Sequence, residues 1–129
     1  MNKRRLWNGA LFLVAALWIS MGMSKLLCGW SSVFSYRAFY ILSESMEPVI
    51  HEHQIVFGKL AGDGSLAAGE IYAYQREGPW GREMVIHCLV EITEDGAYIF
   101  QGDNNDAPDE AVGREQIGYH ILGLFQEAK

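Results

Sequence analysis

Glu83-Met84-Val85-Ile86-His87-Cys88-Leu89-Val90-Glu91-Ile92 is the stretch on which the fold class turns. Met84, Ile86, Cys88, Val90 and Ile92 fall at alternate positions and are all apolar. Glu83, Val85, His87, Leu89 and Glu91 form the complementary, mixed set. A period of two identifies a β-strand with two distinct faces. The apolar set is expected to face the core, with Cys88 as a small buried hydrophobe. His87 is then expected on the opposite side. Downstream, Glu94-Asp95-Gly96 separates this strand from a second run at 97–101. An Asp-Gly pair between two strand-like runs is a hairpin signal.

The same composition recurs outward from this hairpin. Short runs rich in Val, Ile, Tyr and Phe lie at 37–42, 54–59, 70–75 and 117–125. Gly, Asp and Asn punctuate them, as in Ala61-Gly62-Asp63-Gly64 and Glu77-Gly78-Pro79-Trp80-Gly81. These are strand and turn signals. The expected class is mainly β: a small antiparallel sheet or partly closed β-barrel. The chain has 129 residues, which suits one such domain.

The N-terminal part is different in kind. Residues 6–23 carry no charge, and only Asn8 and Ser20 are clearly polar. Eighteen such residues approach the ~20 needed to cross a bilayer as a helix. Trp7 and Trp30 would lie roughly 35 Å apart along a helix, a spacing suited to the two membrane interfaces. Lys25 is close enough to one end to snorkel. A cleaved signal peptide has a shorter apolar core and an Ala-x-Ala-like site, and neither is present here. Leu27 before Cys28 does not make a lipoprotein signal. An uncleaved anchor is expected, contacting the bilayer through residues 6–27. Lys3, Arg4 and Arg5 place the N-terminus on the cytoplasmic side. The expected division is 1–30 for the cytoplasmic tip and anchor, and 31–129 for an extracytoplasmic domain.

Charge narrows the functions open to that domain. Residues 1–30 carry +4 and the remainder −10, giving −6 overall. So acidic a domain lacks the basic surface that nucleic acid requires, so no nucleic-acid partner is expected. Two cysteines make neither a disulfide framework nor a four-cysteine zinc site. No intrachain disulfide is expected.

The candidate chemistry lies in three places. Ser43-Glu44-Ser45-Met46-Glu47-Pro48 follows directly on a strand-like run. A serine hydroxyl is a weak nucleophile and needs a base beside it. His87 is one candidate base. Gly102-Asp103-Asn104-Asn105-Asp106-Ala107-Pro108-Asp109 supplies acids just after a strand. Lys59 is a weaker candidate base, expected to be solvated. His51 and His53 would share a strand face, but lack a third ligand at a metal-site spacing. His120 is expected to pack rather than ligate. No metal or cofactor is expected.

In this order, behind an anchor, these pieces resemble the type I signal peptidases. The closer likeness is to the branch found in the endoplasmic reticulum, in archaea and in some spore-forming bacteria. Ser43-x-Ser45-Met46-x-Pro48 resembles the family's serine box. Leu66-Ala67-Ala68-Gly69-Glu70-Ile71 resembles its Gly-Asp segment, with Glu70 in place of Asp. The strand around His87 resembles its histidine strand, with Cys88 in place of the usual Arg. Gln101-Gly102-Asp103-Asn104-Asn105 followed by Asp109 resembles its acidic turn, and Gln116-Ile117-Gly118 its last strand.

The resemblance implies a membrane-bound serine endopeptidase that removes N-terminal signal peptides from exported preproteins. It implies Ser45 as nucleophile, His87 as general base and Asp109 as the orienting acid, with Asp103 supporting or shaping the loop. Ser43 and the backbone N–H of Ser45 would form the oxyanion hole. The implied location is the cell membrane, or the endoplasmic reticulum membrane in a eukaryote. No partner subunit is specified. The alternative is a non-catalytic, membrane-anchored relative acting as a scaffold or chaperone in surface-fibre or pilus assembly.

Overall fold

A computed structural model of the chain describes residues 2–28 and 32–125. The chain divides between Arg37 and Ala38 into two compact units.

The first unit is dominated by one helix, α1 (Lys3–Cys28). Its 26 residues give a length of about 39 Å, more than the ~30 Å of a hydrocarbon core. Side chains are exposed along almost all of it, including Leu6, Trp7, Phe12, Trp18 and Leu26. A helix apolar on every side, with no residue of its most apolar window buried, is long and apolar enough to cross a membrane. Lys25 lies in its last turn, where a cation complements the helix dipole. Trp30, the expected second interfacial aromatic, lies outside the described residues, as does the side chain of Cys28.

The second unit is built on a six-stranded sheet whose first strand begins two residues before the boundary. Its strands are β1 (Tyr36–Tyr40), β2 (Ile55–Leu60), β3 (Ile71–Gly78), β4 (Gly81–Ile92), β5 (Tyr98–Gln101) and β6 (Ile117–Phe125). The spatial order is β1-β2-β6-β3-β4-β5, so the final strand enters the middle. The pairs β2–β6, β6–β3, β3–β4 and β4–β5 are antiparallel. The mainly β architecture with one N-terminal apolar helix is the one expected from the sequence. The expected Asp95-Gly96 hairpin joins β4 and β5. Gly96 has a φ of 86°, a conformation that a side chain disfavours. The Thr93 hydroxyl accepts the Ala97 N–H at 2.9 Å and closes the loop.

The tighter hairpin joins β3 and β4. Gly78 pairs with Gly81 across Pro79-Trp80, and the register carries outward to Tyr74–Val85 and Tyr72–His87. One sheet face therefore carries Tyr72, Tyr74, Val85, His87 and Leu89. Leu66, Phe100, Val112 and Ile117 complete a core on that face. By alternation the other face carries Ala73, Tyr119 and Ile121, also buried. Phe39 meets the Tyr119 ring edge-on, with centroids 5.1 Å apart.

This arrangement corrects the expected facing of β4. Val85, His87 and Leu89 are the buried set, whereas Cys88 is half-buried and Val90 exposed. The apolar alternation is real, but aromatic residues from β3 and β5 cover the mixed face. His87 can be buried there because its ring nitrogens find partners, which removes most of the penalty for burying a polar group. Cys88 is a free thiol. Burial, reinforced by the Asp103 and Glu70 carboxylates, pushes it above its ordinary pKa.

Phe100 is fully buried and touches the rings of both Tyr72 and Tyr74. Phe100→Ala is therefore expected to cost about 3–5 kcal/mol. Trp80 is fully exposed at the hairpin tip, so Trp80→Ala should change stability by less than about 0.5 kcal/mol. Urea denaturation of the detergent-solubilised chain measures both.

Candidate active site

Ser45 rides on the loop between β1 and β2. The residue after it, Met46, is almost fully buried, and Ile50 is wholly so. The Ile50 N–H donates to the Met46 carbonyl at 2.9 Å, and that of Glu47 to the Glu44 carbonyl at 3.1 Å. Two apolar anchors and two turn hydrogen bonds thus hold the loop, leaving Ser45 half-buried and Ser43 exposed. This gives the Met46 of the serine box a physical role: it pins the backbone beside Ser45.

His87 approaches from β4. The residue is 5% exposed, and Nε2 lies 3.0 Å from the Ser45 hydroxyl. Nδ1 hydrogen-bonds Oδ2 of Asp109. The Tyr74 hydroxyl donates to that same oxygen at 2.5 Å. Burial, then the hydrogen bond to Asp109 and its charge, push the Tyr74 phenol far above its ordinary pKa, with Arg76 pulling the other way. The Ser43 and Ser45 hydroxyl oxygens are 3.1 Å apart.

The acidic turn is stitched to the serine loop. The Asn104 N–H donates to the Ser45 carbonyl at 2.8 Å, and its side-chain amide donates to the Glu44 carbonyl at 3.1 Å. Between the two loops lies Gly102. A Cβ placed there would sit 2.6 Å from the Ser45 carbonyl oxygen and 3.0 Å from His87 Nε2. Only glycine lets the turn approach the serine this closely. Farther along, the Asp109 N–H donates to the Phe100 carbonyl at 2.7 Å, which fixes where its carboxylate starts.

Ser45, His87, Asp109 and Ser43 thus come together, whereas Asp103 stands outside this set. Its side chain is exposed, and the turn is closed by the Asn105 N–H on the Gly102 carbonyl at 2.9 Å. Lys59 is exposed on β2, in register with His120. His51 pairs with Glu47 at 2.5 Å, His53 with Tyr40 at 2.9 Å and His120 with Glu70 at 3.0 Å. Among the described residues no three His, Cys, Asp or Glu side chains group as a metal site.

A groove of about 600 Å³ opens beside Ser45. Phe39, Ile41 and Leu42 form one wall, and Met84, Ile86 and His87 the other. On that second wall β4 pairs with β5 only from Cys88 onward. The 83–87 segment therefore presents an unpaired strand edge on that side. Met84 and Ile86, which sequence periodicity assigned to the core, line this groove instead.

Sequence reading missed Tyr74 and the hydrogen bonds of Asn104. The signal for Tyr74 was available in the β3–β4 turn: a two-residue loop at Pro79-Trp80 sets the register that brings Tyr72 and Tyr74 onto the His87 face.

No family model matches the chain. It is similar to the signal peptidase complex catalytic subunit SEC11C of human and dog, at 30% identity over 124 residues. That match covers 89% of this chain and 60% of each relative's length. It is also similar to signal peptidase I W of Bacillus subtilis, at 30% identity over 101 residues, covering 74% of this chain and 52% of that protein. The chain thus spans just over half the length of the curated relatives it matches.

The close packing at Gly102 generates a test. Gly102→Ala should displace Ser45 from His87. A misplacement of this kind costs about a hundredfold in reactivity. Labelling of Ser45 by a serine-directed acylating probe measures it, with thermal denaturation as the control for folding. Mammalian and bacterial relatives alike are signal peptidases by name, and they support the likeness to type I signal peptidases that the serine box, histidine strand and acidic turn carry.

Proposed function

We propose that this chain is a membrane-bound serine endopeptidase that removes N-terminal signal peptides from exported preproteins. The observation that carries the reading is the unbroken hydrogen-bond chain from the Ser45 hydroxyl through both nitrogens of His87 to Asp109. The Ser45 oxygen attacks the scissile carbonyl while Nε2 takes its proton. Nε2 then gives that proton to the leaving amine, leaving an acyl-enzyme. Water, activated by the same nitrogen, releases the acyl group. Asp109 holds the tautomer with its proton on Nδ1 and stabilises the imidazolium that forms. Asp109, rather than Asp103, is the orienting acid in this reading. The Ser43 hydroxyl and the Ser45 N–H stabilise the developing oxyanion, and one such donor contributes about 3 kcal/mol. A histidine in the base position supports a likeness to the endoplasmic-reticulum-like branch. No cofactor takes part.

The substrate reading follows from the groove. An extended peptide can add to the unpaired edge of β4 and present one carbonyl to Ser45, as peptides add to open sheet edges elsewhere. Helix α1 holds the reaction at the bilayer. Residues 1–30 form the cytoplasmic tip and anchor, and 31–129 the extracytoplasmic peptidase domain.

The test is cleavage of a preprotein by the detergent-solubilised chain, with the new N-terminus mapped. Ser45→Ala and His87→Ala should be inactive but folded, and Asp109→Asn should lose about 10⁴ in turnover. Ser43→Ala should keep weak activity, and Lys59→Ala nearly all of it. Turnover should fall on acidification, because a protonated imidazole accepts no proton. An active Ser45→Ala protein would sink the assignment.

A further inference from the structure

We propose that Tyr74 is a positioning residue for the His87–Asp109 pair: its hydroxyl holds the carboxylate oxygen that orients the imidazole and moderates that carboxylate's pull on the ring proton. The proposal rests on the peptidase reading above.

Two donors share one oxygen. Both the His87 ring and the Tyr74 hydroxyl hydrogen-bond Oδ2 of Asp109. A carboxylate held by a single donor can rotate about it. A second donor, from a different strand, removes that freedom. The phenol is itself immobile, because Tyr74 is fully buried and its ring stacks on Phe100 with centroids 4.5 Å apart. It also meets the His87 ring edge-on at 6.4 Å. Phe100 completes the brace, because its carbonyl accepts the Asp109 N–H. One residue thus supports both Tyr74 and Asp109.

The shared oxygen has an electrostatic consequence as well. A donor on a carboxylate takes up part of its negative charge. Asp109 then stabilises the imidazolium less than an undonated carboxylate would. Losing the hydroxyl should make His87 easier to protonate and leave Asp109 freer to turn. The other charged groups nearby are Arg76 and Glu77 on β3, Glu83 on β4 and Glu110 after Asp109. Together they line a cavity of about 520 Å³ on the side of Tyr74. Arg76 pairs with Glu83 at 2.5 Å. On the serine side stand Ser45 and Asn105, neither of them charged. Asp103 and Glu70 act on Cys88, the next residue along β4. A Tyr74→Phe change leaves every one of these groups in place and fills the same space, so a difference from the parent reports the hydroxyl.

The experiment compares the parent chain with Tyr74→Phe and Tyr72→Phe. Tyr72 is the control: it is the cross-strand neighbour of His87, but its hydroxyl accepts the Ala67 N–H at 3.1 Å. Two quantities are read on the full detergent-solubilised chain. One is the pH profile of kcat and KM on a preprotein. The other is the titration of the His87 imidazole by NMR. Tyr74→Phe should lower kcat roughly tenfold or more, the loss expected for a hydrogen bond to a charged group. KM should not move, and both the acidic limb and the imidazole titration should shift to higher pH. Tyr72→Phe should lower the melting temperature and move neither. If Tyr74→Phe behaves like Tyr72→Phe, with an unmoved imidazole titration, the proposal is overturned. The titration needs no turnover. A parent chain that cleaves no preprotein therefore defeats the peptidase reading, while the titration still decides the part played by Tyr74.

Discussion

The hydrogen bond between His87 and Asp109, nearly out of reach of water, is the constraint around which the β unit is arranged. Groups that carry or share charge are costly to bury unless their hydrogen-bonding capacity is met. Three atoms of the pair find further partners. Nε2 has the Ser45 hydroxyl, Oδ2 has Tyr74, and the Asp109 N–H has the Phe100 carbonyl. These partners come from a loop, a strand and an edge hairpin far apart in sequence. The sheet must bring all of them to one face before the pair can exist. The aromatic residues around it fill the remaining volume and leave no buried side-chain polar atom without a partner among the described residues.

Much of this was legible in the sequence, and the exceptions share a physical cause. Strand existence could be read from local composition, and β6 was read to the residue, because apolar and β-branched runs bounded by turn residues form strands in most contexts. The facing of β4 could not be read in the same way. Alternation shows that two faces exist, but which one is covered depends on Tyr72, Tyr74 and Phe100 arriving from other strands. Met84 and Ile86 look like core residues for the same chemical reason that they suit the wall of an apolar groove. Asp103 and Asp109 differ in what no local pattern encodes. Asp109 is tied by its backbone to Phe100, whereas Asp103 points to solvent beside Cys88.

Short-range order around Ser45 comes from unlike sources. Met46 and Ile50 hold the loop from beneath by apolar burial, and Asn104 holds it from the side through two polar contacts. Gly102 sets the distance between them by having no side chain. A loop fixed in three ways loses little entropy when a substrate arrives, which is the condition for an attacking group held ready in advance.

Strand order carries a consequence for the timing of assembly. β1 and β2, which flank the Ser45 loop, meet β3, β4 and β5 in the sheet only through β6. Of the six strands, β6 leaves the ribosome last. Until it docks, the hairpins bearing serine and histidine share no strand neighbour, and bringing them together must overcome the loop-closure entropy of distant segments. In a half-made chain, therefore, Ser45 and His87 are not yet held side by side. The contact between Ser45 and His87 is thus among the last that the growing chain can complete.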